Sequence, residues 1–133
     1  MKNKEEGRPE ADTRRLVEKF LLLLGHSEKQ IVFEVGRIDV RVNDTTEQPW
    51  AVCEVKRSLA DRKMLDDARR KGFDYAGQVG APLVVLTDGD RYEIYDRTKG
   101  TKYETQLCGK FQLTRYKKKD ERLIDMLRPK AGR

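Results

Sequence analysis

The chain has 133 residues, with 29 lysines and arginines against 23 aspartates and glutamates and a formal net charge of +6. That length suits one compact domain with a core of its own, and it is too short for two. The basic balance favours a polyanionic partner, because lysine and arginine contacts to phosphate supply most sequence-independent nucleic-acid affinity, with a solvated basic surface as the alternative; no apolar stretch approaches the roughly 20 residues of a membrane span, and no membrane partner is expected.

Residues 1–9 are polar, contain Gly7 and Pro9, and read as a disordered lead-in; the charged start, Met1 to Glu6, does not read as a signal peptide. A helix follows, with Leu16, Phe20, Leu23 and Leu24 at helical spacing and Gly25 as a stop. The single histidine, His26, excludes a multi-histidine metal site and reads as a surface or capping residue. From Ile31 to Asp44 the residues become β-branched and alternating, and Gly36 divides them into two short strands of a hairpin. Asn43 to Pro49 is a polar turn region, and Trp50 to Arg57 is a third strand, apolar on both faces until Glu54, as a central strand would be.

Ser58, with Asp61 three residues on, resembles a capping box opening a helix that runs to about Val79, with Leu65, Ala68, Gly72, Ala76 and Val79 inward. Pro82 opens the apolar strand Leu83 to Leu86, Asp88-Gly89 is a tight turn, and Arg91 to Asp96 alternates as a fifth strand. The helix between strands three and four predicts that those two run parallel. A further strand is expected near Tyr103 to Leu107, then a helix near Asp120 to Leu127 with Leu123, Ile124 and Leu127 inward, and a tail over 129–133. The expectation is a single α/β domain over 10–128, a mixed sheet with a helix on each side. Cys53 and Cys108 are widely separated, which indicates neither a zinc cluster nor a disulfide framework and suits a reducing, cytoplasmic setting.

The chemistry concentrates at Glu54 and Lys56. Two apart on a strand, they project from one face, where a core strand would prefer valine; either charge is costly to bury unless paired or coordinated. Asp39 lies on the adjacent strand. Two carboxylates plus a substrate phosphate suffice to hold a magnesium or manganese ion, which activates water for in-line attack on a phosphodiester, and Lys56 would orient that water or offset developing charge. The competing reading is an exposed Glu54–Lys56 ion pair of little energetic value.

Ile38-Asp39-Val40 followed by Glu54-Val55-Lys56 resembles the PD-(D/E)XK nucleases, and the context resembles the N-terminal nuclease region of type I restriction enzyme R subunits. Glu10-Ala11-Asp12-Thr13-Arg14, Gly36-Arg37-Ile38-Asp39, Gly80-Ala81-Pro82 and Val84-Val85-Leu86-Thr87-Asp88-Gly89 with Ile94-Tyr95 occur in the family's order over residues 10 to 97. Tyr75 fits the tyrosine of the family's glutamine-x-x-x-tyrosine helix motif, but Lys71 stands at the glutamine position.

The resemblance implies a restriction-endonuclease-like fold and a Mg2+- or Mn2+-dependent DNA endonuclease. Asp39, Glu54 and the Val55 carbonyl would hold metal, Lys56 would be the catalytic lysine, and Glu10 would complete the acidic set through water, with Glu34 its rival. No phosphate loop of the motor type is present, so translocation would need a separate motor or specificity subunit; in size the chain is closer to Holliday junction resolvases, and cutting both strands implies a homodimer. Candidate DNA contacts are Arg69, Arg70 and Lys71 on the second helix and Lys117, Lys118 and Lys119 with Arg115 and Lys110. The alternative from another class is a non-catalytic DNA-binding or partner-docking module on the same fold.

Overall fold

The computed structural model describes residues 10–33 and 39–131, with Glu10 described by its backbone alone. The lead-in over 1–9, the rival acid Glu34, the Gly36-Arg37-Ile38 stretch and the last two residues of the tail lie outside the described residues.

Helix α1 (Glu10–Leu23) leads through a short 3-10 turn into strands β1 (Ile31–Phe33) and β2 (Val40–Asn43), an antiparallel pair. Strand β3 (Pro49–Val55) pairs antiparallel with β2 and parallel with β4 (Leu83–Thr87); helix α2 (Arg62–Val79) joins β3 to β4. Strand β5 (Arg91–Asp96) follows β4 through the Asp88-Gly89 turn, and after a one-turn helix α3 (Tyr103–Gln106) strand β6 (Leu107–Gln112) closes the far edge. Helix α4 (Glu121–Met126) ends the ordered elements. Among the described residues the six strands lie in sequence order, and their one parallel pairing is the one that α2 bridges, as the intervening helix requires.

Alternation along the strands divides the core into two layers. Cys53, Val55, Val85 and Ile94 pack with Val17 and Leu21 of α1 and with Leu123, Ile124 and Leu127 beside α4. On the other face Val52, Val84, Leu86 and Tyr95 pack under Ala68, Tyr75 and Ala76 of α2. The chain is therefore a mixed α/β domain with its sheet flanked by helices. Gly72 brings α2 down onto the sheet: a Cβ there would stand 3.0 Å from Val84 Cγ1 and 3.5 Å from Glu54 Cβ. Gly80, at φ 81°, ends α2 in the left-handed conformation that costs glycine no Cβ clash, and its N–H donates to the Ala76 carbonyl.

Four expectations are corrected. The buried stripe of α1 is Thr13, Val17 and Leu21, one step round from the expected one, and Leu23 is 85% exposed. His26 is buried, with Nε2 2.6 Å from the Leu127 carbonyl oxygen, so it ties the end of α1 to the end of α4 instead of lying on the surface. The N-cap of α2 is Asp61, whose Oδ1 accepts from the Lys63 and Met64 N–H groups at 2.8 and 3.1 Å; Ser58 only closes a local turn with Ala60. Tyr103–Gln106 is a helical turn, and the strand begins where it ends. There the Gln106 amide donates to the Gly100 carbonyl, folding the segment back on itself before it can extend.

Candidate active site

Strand register brings the two acids together. Val40 pairs with Cys53 and Arg41 with Val52, so continuing the antiparallel ladder by one residue sets Asp39 opposite Glu54. Residues opposite one another share a face, and Glu54 shares its face with Val52, the face covered by α2. Both are buried, Asp39 to 4% and Glu54 to 7% exposure. Glu54 is pushed up to about 7: burial contributes most, the charge of Asp39 adds, Lys56 and Lys71 oppose, and Asp67 adds a little.

Lys56 follows directly on the strand end, where its N–H still donates to the Thr87 carbonyl at 3.0 Å and keeps the side chain on the α2 face. Its ammonium, 12% exposed, donates to Asp67 Oδ2 at 2.9 Å. Asp67 sits on the first turns of α2 and is also gripped by Arg70 at 2.6 Å and Lys71 at 3.4 Å. This cationic grip, the Lys56 hydrogen bond above all, holds the Asp67 carboxyl below its ordinary value.

The predicted residues divide accordingly. Asp39, Glu54 and Lys56 come together, and Lys71 joins them through Asp67. Val55 points its side chain into the opposite layer, leaving its backbone between the two functional side chains. Glu10 opens α1, which packs on the opposite face from Glu54, although Thr13 and Leu16 approach Gly89 and so set that helix start at the same end of the sheet as Lys56. Arg69, Arg70 and Lys71 are each engaged by an α2 carboxylate, Arg69 with Asp66 at 3.0 Å and the other two with Asp67. Lys117, Lys118 and Lys119 are exposed.

Two participants escaped sequence reasoning. Asp67 precedes Lys71 by four residues, one helical turn, a spacing that would have flagged it as a partner for a basic residue. Glu93 is 8% exposed and sits opposite Leu86, which is itself opposite Glu54, so it lies in the same cross-sheet row. It accepts from the Tyr95 hydroxyl at 2.8 Å and faces Lys110 at 3.8 Å. Burial pushes the Tyr95 hydroxyl up to about 12, so it stays a donor to Glu93 through the neutral range.

Among the described residues no three histidine, cysteine, aspartate or glutamate side chains converge as a metal cluster. The donor set on offer is the facing pair Asp39 and Glu54. Two hard carboxylate oxygen donors fit a magnesium-type ion that keeps most of its waters, and the raised proton affinity of Glu54, due first to burial and then to the charge of Asp39, is a cost that a cation would relieve. No helix among the described residues is long and apolar enough to cross a membrane. No family model, curated protein or solved structure matches this chain.

Proposed function

We propose that this chain is a metal-dependent DNA endonuclease with a restriction-endonuclease-like fold, akin to the nuclease regions of type I restriction R subunits. The observation that carries the reading is the meeting of Asp39 and Glu54 across β2 and β3, buried and mutually repelling, with the Lys56 ammonium beside them on the same face. A structural ion pair would have put Lys56 on Glu54; here the lysine is held by Asp67 instead.

In this reading Asp39 and Glu54 bind the ion and orient it, and the low exposure of both carboxylates keeps bulk water from competing with the substrate phosphate. A bound magnesium or manganese ion supplies charge to the phosphoryl oxygens and lowers the proton affinity of water. Asp67 holds the Lys56 ammonium in a fixed position, from which it donates toward the phosphate oxygen on which negative charge develops. Base-specific contacts are not part of the proposal; the basic surface recognises phosphates.

The test is nicking and linearisation of supercoiled plasmid in Mg2+ or Mn2+ by the parent chain, Lys56→Ala and Asp39→Ala. Metal-dependent cutting that both substitutions abolish supports the reading. A folded parent that cuts nothing shifts the weight to a DNA-binding module, and cutting that survives both substitutions places the chemistry elsewhere.

A further inference from the structure

A cleft of about 480 Å³ opens on the far side of α2 from Asp39, between the outer strands β5 and β6 and the segment that leads into α4. Arg91, Lys110, Arg115, Lys117 and Lys119 line it, and all five side chains are solvent-facing. Its lining also holds two carboxylates. Glu93 accepts from Tyr95 and pairs with Lys110, and Asp120 accepts the Lys117 N–H at 3.0 Å. Among the described residues Arg91, Arg115, Lys117 and Lys119 enter no ion pair, and the cleft lining is net positive, with five cations against the two carboxylates of Glu93 and Asp120. Four of the five cations of α2 contrast with this: Arg62 and Arg69 pair with Asp66, and Arg70 and Lys71 with Asp67.

The cleft is in line with the acidic pair. Glu54, Leu86, Glu93 and Lys110 are successive cross-strand partners on β3, β4, β5 and β6 and point to one face. At about 4.8 Å between strands, Lys110 stands about 14 Å from Glu54, with α2 covering Leu86 between them. The aromatic rings at the cleft, Tyr92 and Phe111, are 1% and 6% exposed, stacked on each other and unavailable to bases. What the cleft offers a ligand is therefore charge on flexible arms, suited to phosphates and indifferent to sequence.

We infer that this cleft is the backbone groove for DNA, its cations taking phosphates other than the one positioned over Asp39 and Glu54. The assignment rests on the nuclease reading for what lies at Glu54, while the groove itself can be tested by binding alone.

The experiment measures anisotropy of a fluorescein-labelled 30-base-pair duplex with the full chain, without divalent ions, from 50 to 200 mM salt. The triple variant Arg115→Ala/Lys117→Ala/Lys119→Ala is compared with the parent and with the charge-matched control Lys19→Ala/Lys29→Ala/Lys99→Ala. Each lost phosphate contact lowers the slope of log affinity against log salt by about 0.9, so the groove variant should lose about 2 to 3 from its slope and at least tenfold in affinity at 50 mM. The control should keep both. Lys117→Gln/Lys119→Gln, which removes the charge but keeps a polar, flexible side chain, provides a second reading if the triple variant folds poorly. With plasmid as substrate, the groove variant should raise KM and leave kcat in place, whereas Lys56→Ala should lower kcat.

Equal losses in groove variant and control, a parent that does not bind the duplex, or equal binding of polyglutamate through the same three residues would each overturn the assignment, the last in favour of an acidic protein. A parent that cuts nothing yet loses DNA only through the groove variant removes the nuclease reading and keeps the groove. A groove variant that binds and cuts like the parent does the reverse.

Discussion

Replacing Glu54 with glutamine isolates the electrostatic cost of the acidic pair. The folded-state value, pushed from 4.5 to about 7, means that the native protein holds this proton more tightly than the unfolded chain does. Stability from this group is therefore fully present below pH 4.5 and is lost as pH rises through about 7, after which it is flat. At about 1.4 kcal/mol per tenfold change in proton affinity, ionising Glu54 costs the fold about 3 kcal/mol. Glu54→Gln keeps the shape and cannot ionise. The stability difference, variant minus parent, should rise by about 3 kcal/mol between pH 4.5 and 8, equivalent to a relative Tm gain on the order of 10 °C in a domain of this size. Groups remote from the site cancel in the difference. Urea titration followed by Trp50, the single tryptophan and a core residue at 8% exposure, reads it directly. Adding Mg2+ or Mn2+ at pH 8 should stabilise the parent and leave the variant nearly unmoved, because only the parent has two facing carboxylates to neutralise. Parallel pH profiles for the two proteins would refute the reasoning, since they would mean that Glu54 titrates alike in folded and unfolded chains.

Gly72→Ala should destabilise by about 1–2 kcal/mol despite alanine's better helix propensity, because its Cβ would meet Val84 Cγ1 at 3.0 Å with Glu54 Cβ and Leu86 Cδ2 at 3.5 Å; a midpoint in urea equal to or above the parent's would show that α2 can lift without cost. His26→Ala should cost about 1–2 kcal/mol at pH 8 through loss of the bond to Leu127. Burial lowers the His26 value, so its contribution is present above the unfolded value of 6.5 and is lost as pH falls below it; the gap between parent and variant should narrow on acidification, and a gap that widens contradicts the assignment. Asp67→Asn should leave the fold within about 1 kcal/mol of the parent, since Asp67 is 31% exposed, yet should lower the kcat of plasmid cutting with KM held, and Asp67→Glu should restore part of it. Unchanged kcat in Asp67→Asn would remove its role in positioning Lys56.

Much of this architecture is legible where side-chain period is sharp. The alternation of Arg91–Asp96, the turn at Asp88-Gly89 and the uninterrupted apolar run of β4 each specify a strand, and a helix between β3 and β4 forces them parallel. In α1 the four leucines from Leu21 to Leu24 leave the period undefined, which is why the buried stripe falls on Val17 and Leu21 and not on Leu23. His26 was illegible for another reason: its partner is 101 residues away, and no local pattern encodes a contact between the ends of α1 and α4. The same holds for Glu93. It reads as one more alternating strand residue until the sheet order is known, and only then does it stand in the row that begins at Asp39. Asp39 and Glu54 could be anticipated together because their strands are neighbours in sequence and hairpin pairing is the shortest-range contact a sheet makes.

Lys71 occupies the position where the resembled nucleases carry glutamine, and the charges around it say what the exchange does. A neutral amide could only hydrogen-bond, whereas the Lys71 ammonium acts on Glu54 at a distance and favours its ionised form, as Lys56 does. Ionised, Glu54 can hold a cation; yet two ammonium groups nearby also disfavour a cation's arrival. Asp67 resolves this opposition by lying between them, accepting from Lys56 at 2.9 Å and pairing with Lys71 at 3.4 Å, so that much of their charge is spent on α2. Burial and Asp39 together still outweigh both lysines, since the net effect on Glu54 is upward. The balance leaves Glu54 close to half-ionised at neutral pH, where a modest positive charge placed between it and Asp39 is enough to expel the proton. In the proposed nuclease that makes the metal ion the last component of the site, with Asp67 and Lys71 setting how readily it enters.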